Sequence, residues 1–94
     1  YLCNGIDSME VVQMMGFFGP MPTRVIKSKL PMETSELPCP VTYVVLTQDK
    51  MIAPGAQGRI AERFDGVETV EIESCHQVMA QHPKELAEVL LRYA

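Results

Sequence analysis

The rhythm of apolar positions changes near residue 40. Before it, Asp7-Ser8-Met9-Glu10 has the spacing of a capping box and leads into Val11, Val12, Met14, Met15 and Phe18, which predicts a helix over about Ser8 to Phe17. Gly16, Gly19, Pro20 and Pro22 end it. A second short helical or irregular piece around Thr23 to Lys29 then runs into Pro31, Pro38 and Pro40, so this half reads as a cap-like or linker-like segment with no sheet. From Val41 onward, Val41-Thr42-Tyr43-Val44-Val45-Leu46 is β-branched and aromatic without polar alternation, the pattern of a strand covered on both faces. Pro54 suits the first turn of a helix continuing through Ala56, Ile60, Ala61 and Phe64, and Asp65-Gly66 closes it. Val67, Val70 and Ile72 mark a second strand. Pro83 opens a last helix with Leu86, Val89, Leu90 and Tyr93 on one stripe.

Strand, helix, strand, helix is a βαβα unit, which predicts α/β class, parallel strands and a right-handed crossover. A parallel strand buried on both faces needs sheet neighbours and helices above and below it, more than two strands and these helices provide. The chain therefore reads as part of a larger sheet, incomplete alone, or as held by a partner that supplies the missing strands.

Composition narrows the function classes. The chain has 94 residues, 47% hydrophobic and 21% charged, one ordinary globular domain's worth. A net charge of -4 lacks the basic footprint that phosphate-backbone binding requires, so no nucleic-acid partner is expected. The uncharged stretch Leu37 to Gln48 is broken by two prolines and falls far short of the roughly 20 residues of a membrane span, so no membrane partner is expected either. Cys3, Cys39 and Cys75 are odd in number and widely spaced without a CxxC pair, which points away from a disulfide framework or thiolate zinc site and toward a reducing, cytoplasmic location. Tyr1 to Ile6 is too short and uncharged for a leader, and with no Met at position 1 the sequence reads as though something preceded it.

Two residues could carry chemistry together. Asp49 follows Leu46 by three residues and His76 follows Ile72 by four, which places both beyond the carboxyl ends of neighbouring parallel strands, where open α/β sheets build their sites. A carboxylate there can accept a hydrogen bond from one imidazole nitrogen, fix the tautomer, and stabilise the imidazolium formed when the other nitrogen takes a proton from a nucleophile. Such a pair orients and acts as base; it cannot attack. The plainer alternatives are a turn at Asp49-Lys50 and a helix-terminal or solvated His76.

Cys39-Pro-Val-Thr-Tyr-Val-Val-Leu-Thr-Gln-Asp49-Lys-Met-Ile-Ala-Pro54 resembles the α/β-hydrolase segment in which a buried strand delivers the triad acid ahead of a helix-opening proline. Ser74-Cys75-His76-Gln77 followed by His82-Pro83-Lys84-Glu85-Leu86 resembles the last strand, catalytic-histidine loop and final helix of the same fold. The resemblance spans residues 38–94 and is nearest to small esterases of the methylesterase and hydroxynitrile-lyase type. It implies that Asp49 and His76 are the acid and histidine of a Ser-His-Asp triad acting on a small apolar ester-like substrate. It also implies that residues 1–37 form a cap or lid, and that Met14, Phe17 and Phe18 line its substrate pocket.

The family's G-x-S-x-G elbow and its oxyanion-hole loop do not occur, and none of Ser8, Ser28, Ser35 or Ser74 occupies a strand-to-helix turn. The nucleophile is thus expected on an N-terminal hydrolase segment or partner chain. A lyase of the hydroxynitrile type, or a hydrolase-like binding module without turnover, uses the same framework. Cys75 beside His76 is a poor nucleophile candidate, since adjacent side chains in an extended loop point apart. Cys3 and Cys39 read as small buried residues, the seven methionines as core, and His82 with Lys84 and Glu85 as a solvated helix start. No phosphate loop or metal spacing appears, so neither a cofactor nor a metal is implied.

Overall fold

A computed structural model describes residues 2–94, the side chain of Ser35 excepted. Tyr1, the first residue of the expected cap, and the Ser35 side chain therefore lie outside the described residues. In chain order the elements are α1 (Ser8–Met15), α2 (Thr23–Lys27), a 3₁₀ turn (Thr34–Glu36), β1 (Thr42–Leu46), α3 (Pro54–Ala61), β2 (Glu68–Ile72), α4 (Val78–Gln81) and α5 (Pro83–Leu91). This is a small mixed α/β arrangement, and none of its described helices is long and apolar enough to cross a membrane. The 3₁₀ turn and α4 add to the elements expected from the pattern; both are single turns, too short to show a period.

β1 and β2 pair in parallel with Val44 opposite Val70 and Leu46 opposite Ile72. In a parallel ladder such partners share a face. That face carries the core, where Ile72, Val78 and Val89 are buried and Val44, Leu46, Val70 and Leu86 pack around them. Proline starts both α3 and α5, where its missing N–H costs nothing. The chain leaves α3 through a turn that brings Gly66 to φ 62°, a backbone region that favours glycine, and then enters β2.

Four expectations are corrected. β1 is half-buried along its length instead of fully covered, because a two-stranded sheet leaves it without a neighbouring strand along its outer edge. Of the expected stripe on the last helix, only Leu86 and Val89 reach the core, whereas Leu90 and, beyond the end of α5, Tyr93 are exposed, since so narrow a sheet offers contact to one line of a helix. The methionines are not core: Met9, Met15 and Met21 are exposed, and Phe17 is 90% exposed. Cys39 is exposed and Cys3 half-buried, while Cys75 is fully buried.

Candidate active site

The loops that leave β1 and β2 carry the site. Beyond the paired strands the two chains stay hydrogen-bonded, Thr47 N–H donating to Ile72 O and Gln48 N–H to Ser74 O, both at 3.0 Å. The next residues of each loop are thereby held side by side. Asp49 Oδ1 accepts from Met51 N–H at 2.8 Å and Ile52 N–H at 3.0 Å, so the carboxylate closes its own turn. Its other oxygen, Oδ2, lies 2.8 Å from His76 Nδ1. The turn and the histidine partnership, alternatives from sequence alone, coexist in one side chain.

Burial divides the pair. The Asp49 side chain is 2% exposed and that of His76 31%. Burial pushes the Asp49 carboxyl upward, but the hydrogen bonds from Ile52 N–H, from His76 and from Met51 N–H outweigh it, and the group stays below the ordinary aspartate value. An ionised carboxylate only accepts, so a neutral His76 carries its proton on Nδ1 and keeps the lone pair on Nε2. That lone pair is what a general base needs.

Gln57, buried at 3% exposure, is the site residue that sequence reasoning missed. Its Nε2 donates to Leu46 O at 3.0 Å and Ile52 O at 2.7 Å, its Oε1 accepts from Leu46 N–H at 2.8 Å, and Nε2 stands 3.5 Å from Asp49 Oδ2. The available signal was a polar residue at Gln57, i−4 from Ala61 on the buried line of α3. Gln81 plays a similar part on the histidine side, its Oε1 accepting from Cys75 N–H at 2.8 Å and Ser74 Oγ at 3.2 Å. The buried hydroxyl of Ser74 and buried thiol of Cys75 are thus scaffold, closed off from solvent.

The segment before α1 straps both loops together. Asn4 Nδ2 donates to Gln48 O at 2.7 Å, and Gln77 N–H donates to Leu2 O at 3.3 Å. Gly5, at φ 83°, lies so close to Gln81 that a Cβ there would come within 2.6 Å of its Nε2. An open groove of about 650 Å³ follows from this strap, lined by Leu2, Cys3, Val11, Met15, Phe18, Lys50 and Met51. Of the expected pocket residues, Phe18 is in this groove, whereas Met14 and Phe17 border a separate depression with Glu10, Gln13 and Ala80. Helical spacing explains the split: Val11, Met15 and Phe18 follow i, i+4, i+7, and Met14 and Phe17 lie on the neighbouring face. His82, at the start of α5, pairs locally with Glu85 at 3.1 Å.

No protein-family model, no curated protein and no solved structure matches this chain.

Proposed function

We propose that residues 38–94 are the C-terminal part of an α/β-hydrolase, with Asp49 and His76 as acid and base of a Ser-His-Asp triad. The nucleophilic serine then comes from an N-terminal segment or partner chain that also supplies the neighbouring strands. The observation that carries the reading is the 2.8 Å contact between Asp49 Oδ2 and His76 Nδ1 at the carboxyl ends of two parallel strands, with the acid buried and the histidine open. Ion pairs of this spacing also occur for structural reasons, but binding the buried carboxylate through Nδ1 leaves Nε2 of the partly exposed imidazole outside that bond, the arrangement acyl transfer uses.

In this reaction His76 Nε2 takes the serine proton as Oγ attacks the acyl carbon, and Asp49 stabilises the resulting imidazolium. Collapse of the tetrahedral intermediate breaks the ester bond, and the alcohol leaves with the proton from Nε2. Water then adds to the acyl-enzyme by the same route and releases the acid. The groove beside Lys50 and Met51 suits a small apolar ester, because only Lys50 among its seven lining residues is charged. Three unpaired cysteines support a reducing, cytoplasmic setting.

A fluorophosphonate probe tests the reading. Applied to the protein isolated from its native source and followed by mass spectrometry, it should label one serine in material that contains this chain, outside Ser8, Ser28, Ser35 and Ser74. Labelling should vanish in the His76→Ala variant. Absence of any labelled serine, or labelling indifferent to His76, rejects the hydrolase and leaves a binding module.

A further inference from the structure

We infer that Gln57 is the positioning residue of the Asp49 carboxylate, a clamp that holds both ends of the loop presenting the acid; this rests on the hydrolase reading above. A buried primary amide is costly unless its hydrogen-bonding groups are met. Here the polar partners all belong to one loop. The assignment of oxygen and nitrogen follows from them, since Nε2 faces the Leu46 and Ile52 carbonyls and the Asp49 carboxylate, all acceptors, while Oε1 faces the Leu46 N–H. A flipped amide would set its oxygen against three acceptors.

The place of Leu46 in the ladder gives this contact its purpose. Val41 O accepts from Glu68 N–H, and Thr47 N–H donates to Ile72 O, so the odd-numbered positions of β1 turn their backbone groups toward β2. Leu46 turns its N–H and C=O to the opposite, open edge. There the Gln57 amide meets both, as a peptide group of an adjoining strand would. The same side chain reaches Ile52 O, so the loop from Leu46 to Ile52 is tied at its two ends with Asp49 in the middle. Nε2 has two hydrogens and three acceptors. The nearer carbonyls take them, and Asp49 Oδ2, at 3.5 Å, feels the positive end of the amide dipole from the margin of hydrogen-bond distance.

A second feature separates a clamp from a space-filler. Asp49 Oδ1 takes its bonds from Met51 and Ile52, inside the loop that Gln57 fixes, so releasing Leu46 and Ile52 loosens the carboxylate that must meet His76 Nδ1. A methionine at position 57 would fill the same volume and hold nothing.

The test compares wild type with Gln57→Met and Gln57→Glu in the protein with its sheet complete. The readouts are the low-field proton resonance of the His76–Asp49 hydrogen bond, the carbon-13 titration of the Asp49 carboxyl, and the pH profile for p-nitrophenyl butyrate. Among the described residues, His76 is the titratable side chain hydrogen-bonded to that carboxyl. Gln57→Met should weaken the low-field resonance, move the Asp49 titration upward, and lower turnover about 10- to 100-fold, with kcat bearing the loss more than KM. Gln57→Glu should do more, because it sets a negative oxygen against two carbonyls and Asp49. If Gln57→Met does not fold, Gln57→Asn, which keeps the amide but is one methylene short, should show the same shifts. An unchanged resonance and unchanged Asp49 titration in a folded variant overturns the clamp. If the spectroscopic shifts occur and no form of the protein cleaves the ester, the clamp stands and the hydrolase reading falls.

Discussion

Residues 41–94 and residues 2–40 contain similar apolar side chains and put them to opposite uses. Every described residue that is fully buried, from Asp49 through Val89, lies in the later part, and α1 and α2 bury none. The difference lies in what each part packs against. β1 and β2 give α5 a flat apolar face, so Ile72, Val78 and Val89 close a core. α1 has an N-cap from Asp7 and apolar residues around its surface, yet no sheet beneath it. A helix gains stability from burying a face more than from its own propensity, and the same methionines that would be core on a sheet are exposed here. The earlier part is tied to the later one through hydrogen bonds at Leu2, Asn4 and Thr34, the last donating from Oγ1 to Arg63 O at 2.8 Å.

Substitutions on the two sides should differ accordingly, all measured in the protein with its sheet complete. The largest contrast is in turnover: His76→Ala should lower kcat by several orders of magnitude with the fold intact, while Ser8→Ala in α1 leaves it unchanged. Activity within tenfold of wild type for His76→Ala would remove His76 from the mechanism.

Stability comes next. Ile72→Ala should cost about 2–5 kcal/mol in denaturant unfolding, as for other buried aliphatic truncations, and Phe17→Ala less than about 0.5 kcal/mol. Equal losses would mean that the segment following α1 is packed against something in solution. A smaller effect sharpens the division within the cap itself. Met15→Ala should raise KM for an apolar ester roughly tenfold, in line with about 1–3 kcal/mol for apolar pocket contacts, whereas Met14→Ala on the neighbouring face leaves KM unchanged.

The smallest effect is on acid stability. The Asp49 carboxyl is lowered in the folded protein, so its stabilisation is complete above the unfolded-state value, about 3.9, and is lost as pH falls through the lower folded value. Asp49→Asn should flatten the loss of stability in that acid window. Phe17→Ala should leave its shape unchanged, and a wild-type curve matching that of Asp49→Asn would contradict the ionic role of the carboxylate.

Elements with strong local signals were legible in the sequence. Pro54 and Pro83 marked two helix starts, the β-branched run marked β1, and the spacing of Asp49 and His76 from their strands placed both at one sheet edge. Burial was less legible, because it depends on what lies across from a residue. Leu90, in α5, and Phe17, just beyond the end of α1, are apolar and still exposed. The pocket was half legible: the period that places Phe18 with Met15 and Val11 also separates it from Met14 and Phe17, once a side is chosen, and only the strap at Leu2 and Cys3 chooses it. Gln57 was hidden for a different reason, since a glutamine on a short helix is ordinary until the carbonyls it serves are known.

The most direct measurement of the central claim compares Asp49→Asn with Asp65→Asn in the same ester assay. An amide at position 49 preserves packing but can hold the imidazole in the wrong tautomer, so Asp49→Asn should lower kcat by about 10⁴-fold. Asp65, an exposed residue in the turn before Gly66, should tolerate the change with wild-type turnover. Equal activity of the two variants would contradict the assignment of Asp49 and His76 as the acid and base of the site.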